Sequence, residues 1–142
     1  MAVKIEGLEL AVEALDKIAN PQKAERAVGT ACALVERTAK QKAPKDTGEL
    51  RRSITSEVKQ DGGNIVGVVH TPLEYAPYVE YGTGLFATGE GGGRIDVPWN
   101  YKDDKGDWHS TSGQRPQPFM HPALEENREQ ITRLIREGLS SD

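Results

Sequence analysis

The sequence predicts an α+β fold: a small antiparallel sheet packed against a long helix and a C-terminal helix, with a long extended hairpin arm. Apolar residues recur at helical spacing in residues 21–43 and again after residue 121, which predicts a helix at both places. Residues 54–70 alternate instead and are rich in β-branched side chains, which predicts strands. The 142 residues suffice for a single domain, 1–142, from which a long loop or arm at about 84–117 projects.

Two helices are predicted before the sheet. Apolar positions in residues 8–19 follow helical spacing and indicate a short amphipathic helix. Asn20 is suited to cap a second helix, and Pro21 to occupy its first position, where a missing amide proton costs nothing. That helix should run for about 22 residues, roughly 33 Å at 1.5 Å per residue, until Pro44 stops it. Cys32 lies among its small apolar residues and is interpreted as a buried side chain, not as a reactive thiol.

A β-hairpin and a closing helix complete the predicted body. Ile54 and Val58 share one face of the first strand, and the β-branched residues 64–70 form the second, with the turn "QDGG" between them. Residues 121–139 carry a regular apolar stripe, with glutamates early and arginines late, which is the order that the helix dipole favours. We therefore expect a hairpin followed, after a long connection, by one more helix.

The arm is predicted from that connection, in which glycine and proline are concentrated. It spans about 35 residues, far more than the 4 to 6 of an ordinary connection. Two extended pieces flank the turn "KDDKG" and carry Trp99, Tyr101 and Trp108. Because an isolated two-stranded arm is marginally stable in water, we expect it to rest on a neighbour, in the same chain or in another.

Catalytic, metal and cofactor sites are not predicted. His70, His109 and His121 are isolated in the sequence, without the paired spacing that places two imidazoles on one metal ion. The glycine-rich pieces lack the lysine and hydroxyl residue of a phosphate-binding loop. Glu74 and Glu80 could form an acid and base pair, but six residues of irregular chain define no separation, so a solvated or ion-paired role is favoured. We expect no enzyme and no cofactor.

The charge pattern limits the partners. A formal net charge of -4 argues against a dedicated nucleic-acid-binding protein, whose affinity comes mostly from neutralising phosphates. A basic patch lies within residues 37–52, and its simplest interpretation is a solvated helix end. The alternative is a surface that faces DNA in passing or docks on an acidic partner, with Lys45, Arg51 and Arg52 as candidates. No apolar run approaches the roughly 20 residues that span a bilayer, and no signal peptide is evident, so we expect synthesis in the cytoplasm and no membrane partner.

Three ordered motifs carry a family resemblance. They are "APKDTGELRRSI" from Ala43 to Ile54, "YAPYVEYGTG" from Tyr75 to Gly84, and "RPQPFMHPAL" from Arg115 to Leu124. Together they resemble the tailed-phage family typified by gene product ten of the lambdoid phage Hong Kong 97. Members of that family serve as head-tail joining, neck or tail-completion proteins.

The motif residues make physical sense as structure and packing. The turn of Pro44, Asp46, Thr47 and Gly48 can end the long helix and start the first strand, with Asp46 or Thr47 as acceptor and Gly48 free to take positive φ. Phe119 is expected to fill the core beneath the last helix. The approach to that helix is expected to be held extended by Pro116, Pro118 and Pro122. The second motif is expected to close the core on one side and meet a neighbour on the other. The candidate packing and assembly residues are Tyr75, Tyr78, Glu80, Tyr81, Gly82, Thr83, Phe119 and Pro122.

The resemblance implies a virion protein of the head-tail interface, assembled in the host cytoplasm. The implied assembly is a homo-oligomeric ring, expected to be a hexamer, that contacts neighbouring neck, connector and tail-tube proteins. Genomic DNA would pass through its channel without specific binding, and an acidic net charge suits such a channel. A tail terminator that caps the tail tube is the alternative. A small enzyme or a nucleic-acid-binding module is the remote one.

Overall fold

The computed structural model describes residues 2–5, 21–45, 48–61, 64–88 and 98–140. The helix predicted over residues 8–19 lies outside the described residues, as do Asp46 and Thr47 of the predicted turn. The chain divides into two compact units. We call Met1–Leu73 together with Phe119–Asp142 the helix–sheet unit, and Glu74–Pro118 the tyrosine–hairpin unit.

The described elements confirm the predicted α+β class. The helix–sheet unit contains β1 (Ala2–Ile5), α1 (Pro21–Lys42), α2 (Glu49–Ser53), β2 (Thr55–Asp61), β3 (Asn64–His70), α4 (Met120–Glu126) and α5 (Arg128–Ser140). The tyrosine–hairpin unit contains α3 (Ala76–Tyr81), a 3-10 turn (Gly84–Phe86), β4 (Trp99–Lys102) and β5 (Trp108–Thr111).

The helix–sheet unit is built on a three-stranded antiparallel sheet with β3 in the centre and the order β1-β3-β2. The predicted hairpin is confirmed, because β2 and β3 pair from Thr55 opposite His70 to Asp61 opposite Asn64. The strand β1 was not predicted, and it pairs along the other edge of β3. Val66, Val68 and Val69 of β3 are all buried. Since successive side chains of a strand point to opposite faces of the sheet, both faces of this central strand are covered at Val68 and Val69.

Helix α1 has the predicted start, length and stop. Its 22 residues begin at Pro21, and its buried stripe consists of small residues from Ala24 to Ala39 with Cys32 among them. These small side chains let neighbours approach closely, and α1 packs against β2, β3 and α5. At the closest point, a Cβ built on Gly138 of α5 would lie 2.7 Å from the Cβ of Ala27. The helix pair therefore depends on the absence of a side chain at Gly138.

The closing helix was predicted as one element, and the structure divides it in two at Asn127. The backbone amide of Asn127 bonds to the carbonyl of Leu124, three residues back. Its side-chain Nδ2 donates instead to the Ala123 carbonyl (2.7 Å) and to Oγ1 of Thr38 on α1 (3.0 Å). The Asn127 side-chain amide thus replaces one backbone hydrogen bond of the helix. The same amide also joins the closing helix to α1, and the regular helix is interrupted at this residue.

The ends of these elements refine two further predictions. Phe119 is fully buried at the start of α4, as predicted. Pro122 lies inside the first turn of α4 and not in the extended chain before it, which corrects the prediction. A proline at that position removes no helical hydrogen bond, because the first amides of a helix have no partner within it. Gly48 takes the expected left-handed conformation with φ 75°, but the chain then forms the short helix α2 before the first strand. None of the described helices has both the length and the apolar character needed to cross a membrane.

The tyrosine–hairpin unit confirms the predicted hairpin and corrects its surroundings. Strands β4 and β5 pair antiparallel, from Trp99 opposite Thr111 to Lys102 opposite Trp108. The tight turn between them contains Gly106 at φ 90°, the position that a three-residue hairpin loop reserves for glycine. Irregular chain was expected around Glu80, but Ala76–Tyr81 forms the helix α3, with Pro77 in its first turn.

Candidate functional site

We call the second sequence motif, Tyr75–Gly84, the tyrosine motif. Helix α3 buries some residues of this motif and exposes others. Ala76 and Glu80, one turn apart, are buried, with Glu80 only 2% exposed. Tyr78 is 61% exposed and Tyr75 38% exposed. Every buried side-chain polar atom among the described residues has a hydrogen-bond partner. Glu80 is therefore an interior carboxyl group and not a solvated acid.

The glycines after α3 bring two distant stretches of backbone together. Gly82 has φ 81° and Gly84 has φ 61°, both in the left-handed region that favours glycine. A Cβ on Gly84 would collide with the Ser112 carbonyl oxygen, and a Cβ on Gly113 would collide with the carbonyl oxygen of Thr83. No residue larger than glycine fits this crossing without a backbone shift.

Hydrogen bonds join the same two stretches. Thr83 donates its amide to the Gln114 carbonyl (2.9 Å) and accepts the Gln114 amide on its own Oγ1 (2.9 Å). The Leu85 amide donates to the Ser112 carbonyl (3.0 Å). The tyrosine motif thus holds the base of the hairpin, and the two features predicted separately belong to one structure. Ser112, Gly113 and Gln114 were missed because this pairing is non-local.

The tip of the hairpin is organised by Asp103. Its Oδ1 accepts the amides of Lys105 (2.9 Å) and Asp107 (2.8 Å), and its Oδ2 lies 2.8 Å from Nε2 of His109. The hydrogen bond from His109, together with those from the turn amides, holds the pKa of the Asp103 carboxyl below its ordinary value. Asp103 therefore acts as a turn residue and as a cross-strand partner.

The two faces of the hairpin carry different aromatic groups. On one face the Tyr101 and His109 rings, opposite each other in the register, stack with centroids 5.4 Å apart. On the other face Trp108 is 70% exposed, and the Lys102 ammonium lies 5.9 Å from its ring centroid. The hairpin thus presents aromatic surface in both directions, with polar groups beside each ring.

The exposed large apolar side chains of the described residues all fall in the tyrosine–hairpin unit. We call these five the aromatic–leucine set: Tyr75, Tyr78, Leu85, Tyr101 and Trp108. In the described part of the helix–sheet unit from residue 21 onward, every large apolar side chain is buried or half-buried. Leu85, at 55% exposure, was not predicted as a site residue. Exposed aromatic side chains of this kind are enriched at protein interfaces.

A second surface feature is an open groove of about 570 Å³ in the helix–sheet unit, on α1 and α2. It includes two of the predicted basic residues, Arg51 and Arg52, whereas Lys45 is exposed outside it. The Arg51 guanidinium donates to the carbonyls of Ala43 (3.4 Å) and Gln41 (3.3 Å), so part of its role is to satisfy the end of α1. We call this feature the basic groove, and its lining is Ala33, Glu36, Arg37, Lys40, Gln41, Arg51 and Arg52.

One acid lies within the basic groove. Glu36 accepts a hydrogen bond from Ser56 Oγ (2.6 Å), and its carboxylate lies 3.1 Å from Nζ of Lys40. Partial burial opposes its charge, but the bonds from Ser56 and Lys40 outweigh that effect and hold the pKa of Glu36 below its ordinary value. Glu36 is thus charged and already partnered, which leaves the groove with an excess of arginine.

The described residues contain no group of three or more acidic, histidine or cysteine side chains that could hold a metal ion. His70 lies 3.2 Å from Oγ1 of Thr55, and His109 belongs to the hairpin tip. Cys32 is 1% exposed, and burial raises the pKa of its thiol to about 11. The predicted burial of Cys32 is thus confirmed, and a thiol with a raised pKa is protonated near neutral pH.

Comparison with known proteins gives one result. Residues 6–82 match the family model described as "Bacteriophage HK97-gp10, putative tail-component". The first two sequence motifs lie in this range except for the last two residues of the second, and the hairpin and the third motif lie beyond it. No curated protein and no solved structure shows a significant match.

Proposed function

Since the chain belongs to the HK97-gp10-like family of phage tail components, we propose that it is a non-enzymatic virion protein that forms a ring at the head–tail interface. In this role it joins the DNA-filled head to the tail by assembling around the DNA channel. Family membership supports a structural virion role. The ring and its station in the particle are our extension of it.

The aromatic–leucine set is the observation that carries the proposal. Five large apolar side chains stay exposed in one compact unit, while Phe119 and Ile54 of the helix–sheet unit are fully buried. Burying such side chains on a partner would contribute about 25 cal/mol for each Å² of apolar area removed from water. Tyr and Trp residues are enriched at protein interfaces for this reason and for their polar atoms.

The proposed partners are further copies of the same chain, neighbouring neck or connector proteins and tail-tube proteins. We propose six copies in the ring, with genomic DNA passing through the centre without specific binding. The net charge of -4 supports passage without adhesion, because an acidic wall repels the phosphate backbone. Lys45 and Arg52 are exposed and can meet either DNA or an acidic neighbour.

Shortening the hairpin tests this proposal in the phage that encodes the protein. Residues 100–110 are replaced by an Asn-Gly turn, which keeps Trp99 and the Ser112–Gln114 pairing that holds the hairpin base. When a plasmid supplies the shortened protein to a phage that lacks the intact protein, we expect few infectious particles, although heads and tails still form. A matched control is Ser110→Ala, which changes an exposed hairpin residue without removing apolar surface. Normal infectivity with the shortened hairpin would contradict the proposal.

The family description favours one second candidate, because a tail component could be the terminator that caps the tail tube. Electron microscopy of particles made without the protein separates the two functions. Tails of normal length beside filled heads support joining. Overlong tails support termination.

A further inference from the structure

The hairpin tip combines acidic and aromatic groups at an exposed position. Its turn contains three aspartates within five residues, and Trp108 follows at once. The Asp103 carboxylate is used inside the turn, where it accepts two amides and meets His109. The side chains of Asp104 and Asp107 are exposed. The tip therefore presents two carboxylates beside an indole ring that is 70% exposed.

The basic groove has the opposite character. Arg37 on α1 and Arg52 on α2 are exposed at its lining, and Ala33 provides a small apolar wall. Two other cations of its lining already have partners, because Lys40 pairs with Glu36 and Arg51 bonds to the end of α1. Its volume of about 570 Å³ is within the range of cavities that accept a bulky group such as an indole.

We propose that the hairpin tip of one copy of this chain docks in the basic groove of a second copy. This inference rests on the proposed self-assembly and names the contact that drives it. Asp104 and Asp107 pair with the guanidinium groups of Arg37 and Arg52, and Trp108 enters the groove. Arginine suits both roles, since it binds carboxylates through a fork of N–H donors and stacks on aromatic faces.

The second copy is favoured over DNA as occupant by the chemistry of the groove. A DNA duplex presents its phosphate backbone to such a groove and offers no exposed aromatic ring to the apolar wall at Ala33. The protein's own tip offers carboxylates and an aromatic ring together, which matches both components of the lining. A tip on one surface and a groove on another make a head-to-tail contact, and repetition of such a contact closes into a ring when the rotation permits.

Charge reversal tests the contact in the full chain. The groove variant carries Arg37→Glu and Arg52→Glu, and the tip variant carries Asp104→Arg and Asp107→Arg. Analytical ultracentrifugation should show that each alone raises the concentration for half-association by about tenfold or more. A chain with all four changes should regain association, because the charges are exchanged. The control Arg26→Glu with Arg133→Glu changes exposed arginines outside the groove and should associate as the wild type does.

Mixing the two variants separates contact between copies from contact within one chain. An intact tip then remains only on the groove variant, and an intact groove only on the tip variant. The mixture should regain association with the two variants alternating, because the intact tip docks in the intact groove and the reversed tip docks in the reversed groove. A mixture that stays monomeric while all four changes in one chain restore association contradicts this prediction. Unchanged urea midpoints would show that the variants are folded.

Three results would overturn the inference. The first is wild-type association by the groove variant, and the second is a wild-type chain that stays monomeric at the highest attainable concentration. The third is salt-sensitive binding of a short DNA duplex that the groove variant loses, which would assign the groove to nucleic acid. Infectivity distinguishes the two proposals: a groove variant that complements fully, where the shortened hairpin fails, ends this inference and leaves the proposed function intact.

Discussion

The two units of this protein are stabilised in different ways. The helix–sheet unit buries large side chains such as Phe119, Ile54 and Ile131, each at most 1% exposed. The tyrosine–hairpin unit instead exposes the five side chains of the aromatic–leucine set and joins its segments through backbone hydrogen bonds and glycine contacts at Gly84 and Gly113. A unit built in this way keeps aromatic area available for partners. This difference supports the proposal that the helix–sheet unit is a scaffold and the tyrosine–hairpin unit an interaction surface.

The largest expected effect separates buried from exposed aromatic residues. Phe119→Ala should lower the free energy of unfolding by about 3–5 kcal/mol, because it removes a fully buried ring and leaves a cavity. Tyr78→Ala, at a side chain 61% exposed, should change it by less than about 0.5 kcal/mol. Urea denaturation measures both. Equal losses for the two variants would remove the distinction between the units.

The next effect tests the backbone contacts of the tyrosine–hairpin unit. Gly84→Ala should lower the free energy of unfolding of this unit by about 2–4 kcal/mol. The reason is that alanine is strained at a φ of 61° and that its Cβ would collide with the Ser112 carbonyl oxygen. Gly106→Ala at the tip also has positive φ, but its Cβ would meet only Lys102 Cε, at 3.7 Å, so it should lose less. Hydrogen exchange at the Leu85 amide reports the change. Similar exchange in the two variants would mean that the close crossing contributes little.

Alanine substitutions at two glycines of the helix–sheet unit should give smaller changes in stability, and these should have opposite signs. Gly138→Ala should destabilise by about 1–3 kcal/mol, since the new Cβ would lie 2.7 Å from the Cβ of Ala27. Gly29→Ala places its Cβ 3.7 Å from Val58 Cγ2, an ordinary contact, and should stabilise α1 by about 0.5–1 kcal/mol. Thermal unfolding of each variant measures whether its stability falls or rises. Stabilisation by Gly138→Ala would show that α1 and α5 are packed less closely than described.

The smallest effect is the pH response of the hairpin tip. The pKa of Asp103 in the folded chain lies below its ordinary 3.8, so its stabilisation of the turn is complete above that value. It is lost as the pH falls through the folded-state pKa. Amide exchange at Lys105 and Asp107, measured by NMR, should rise with acidification more than at other hairpin amides. In Asp103→Asn this pH dependence should disappear; if it persists, another group controls the turn.

The sequence predicted the elements whose signals are local. Pro21 and Pro44 bracket α1 by their own stereochemistry, and the hairpin β2–β3 follows from β-branched residues around a glycine turn. The hairpin at Trp99 to Thr111 was predicted in the same way. The strand β1 has only four residues and the helix α3 only six, too few for a periodic pattern to stand out.

The features that were not predicted depend on distant partners. The break at Asn127 involves a bond to Thr38, 89 residues away in the sequence. The role of Gly84 is defined by Ser112 and Gly113, on the far side of the hairpin. No local preference encodes such a crossing, so the tyrosine motif could be assigned to packing while its partner stayed unknown. The exposure of Leu85 likewise follows only from the folded backbone.

Hydrogen exchange of the chain inside assembled phage particles, compared with the free protein, tests whether the tyrosine–hairpin unit becomes buried on assembly. Amides of residues 75–88 and 99–111 should gain protection in the particle, because this unit carries the exposed aromatic–leucine set. The buried strand β3 should be protected to the same extent in both states. If residues 99–111 exchange as fast in the particle as in the free chain, the hairpin is not an assembly surface and the account is wrong.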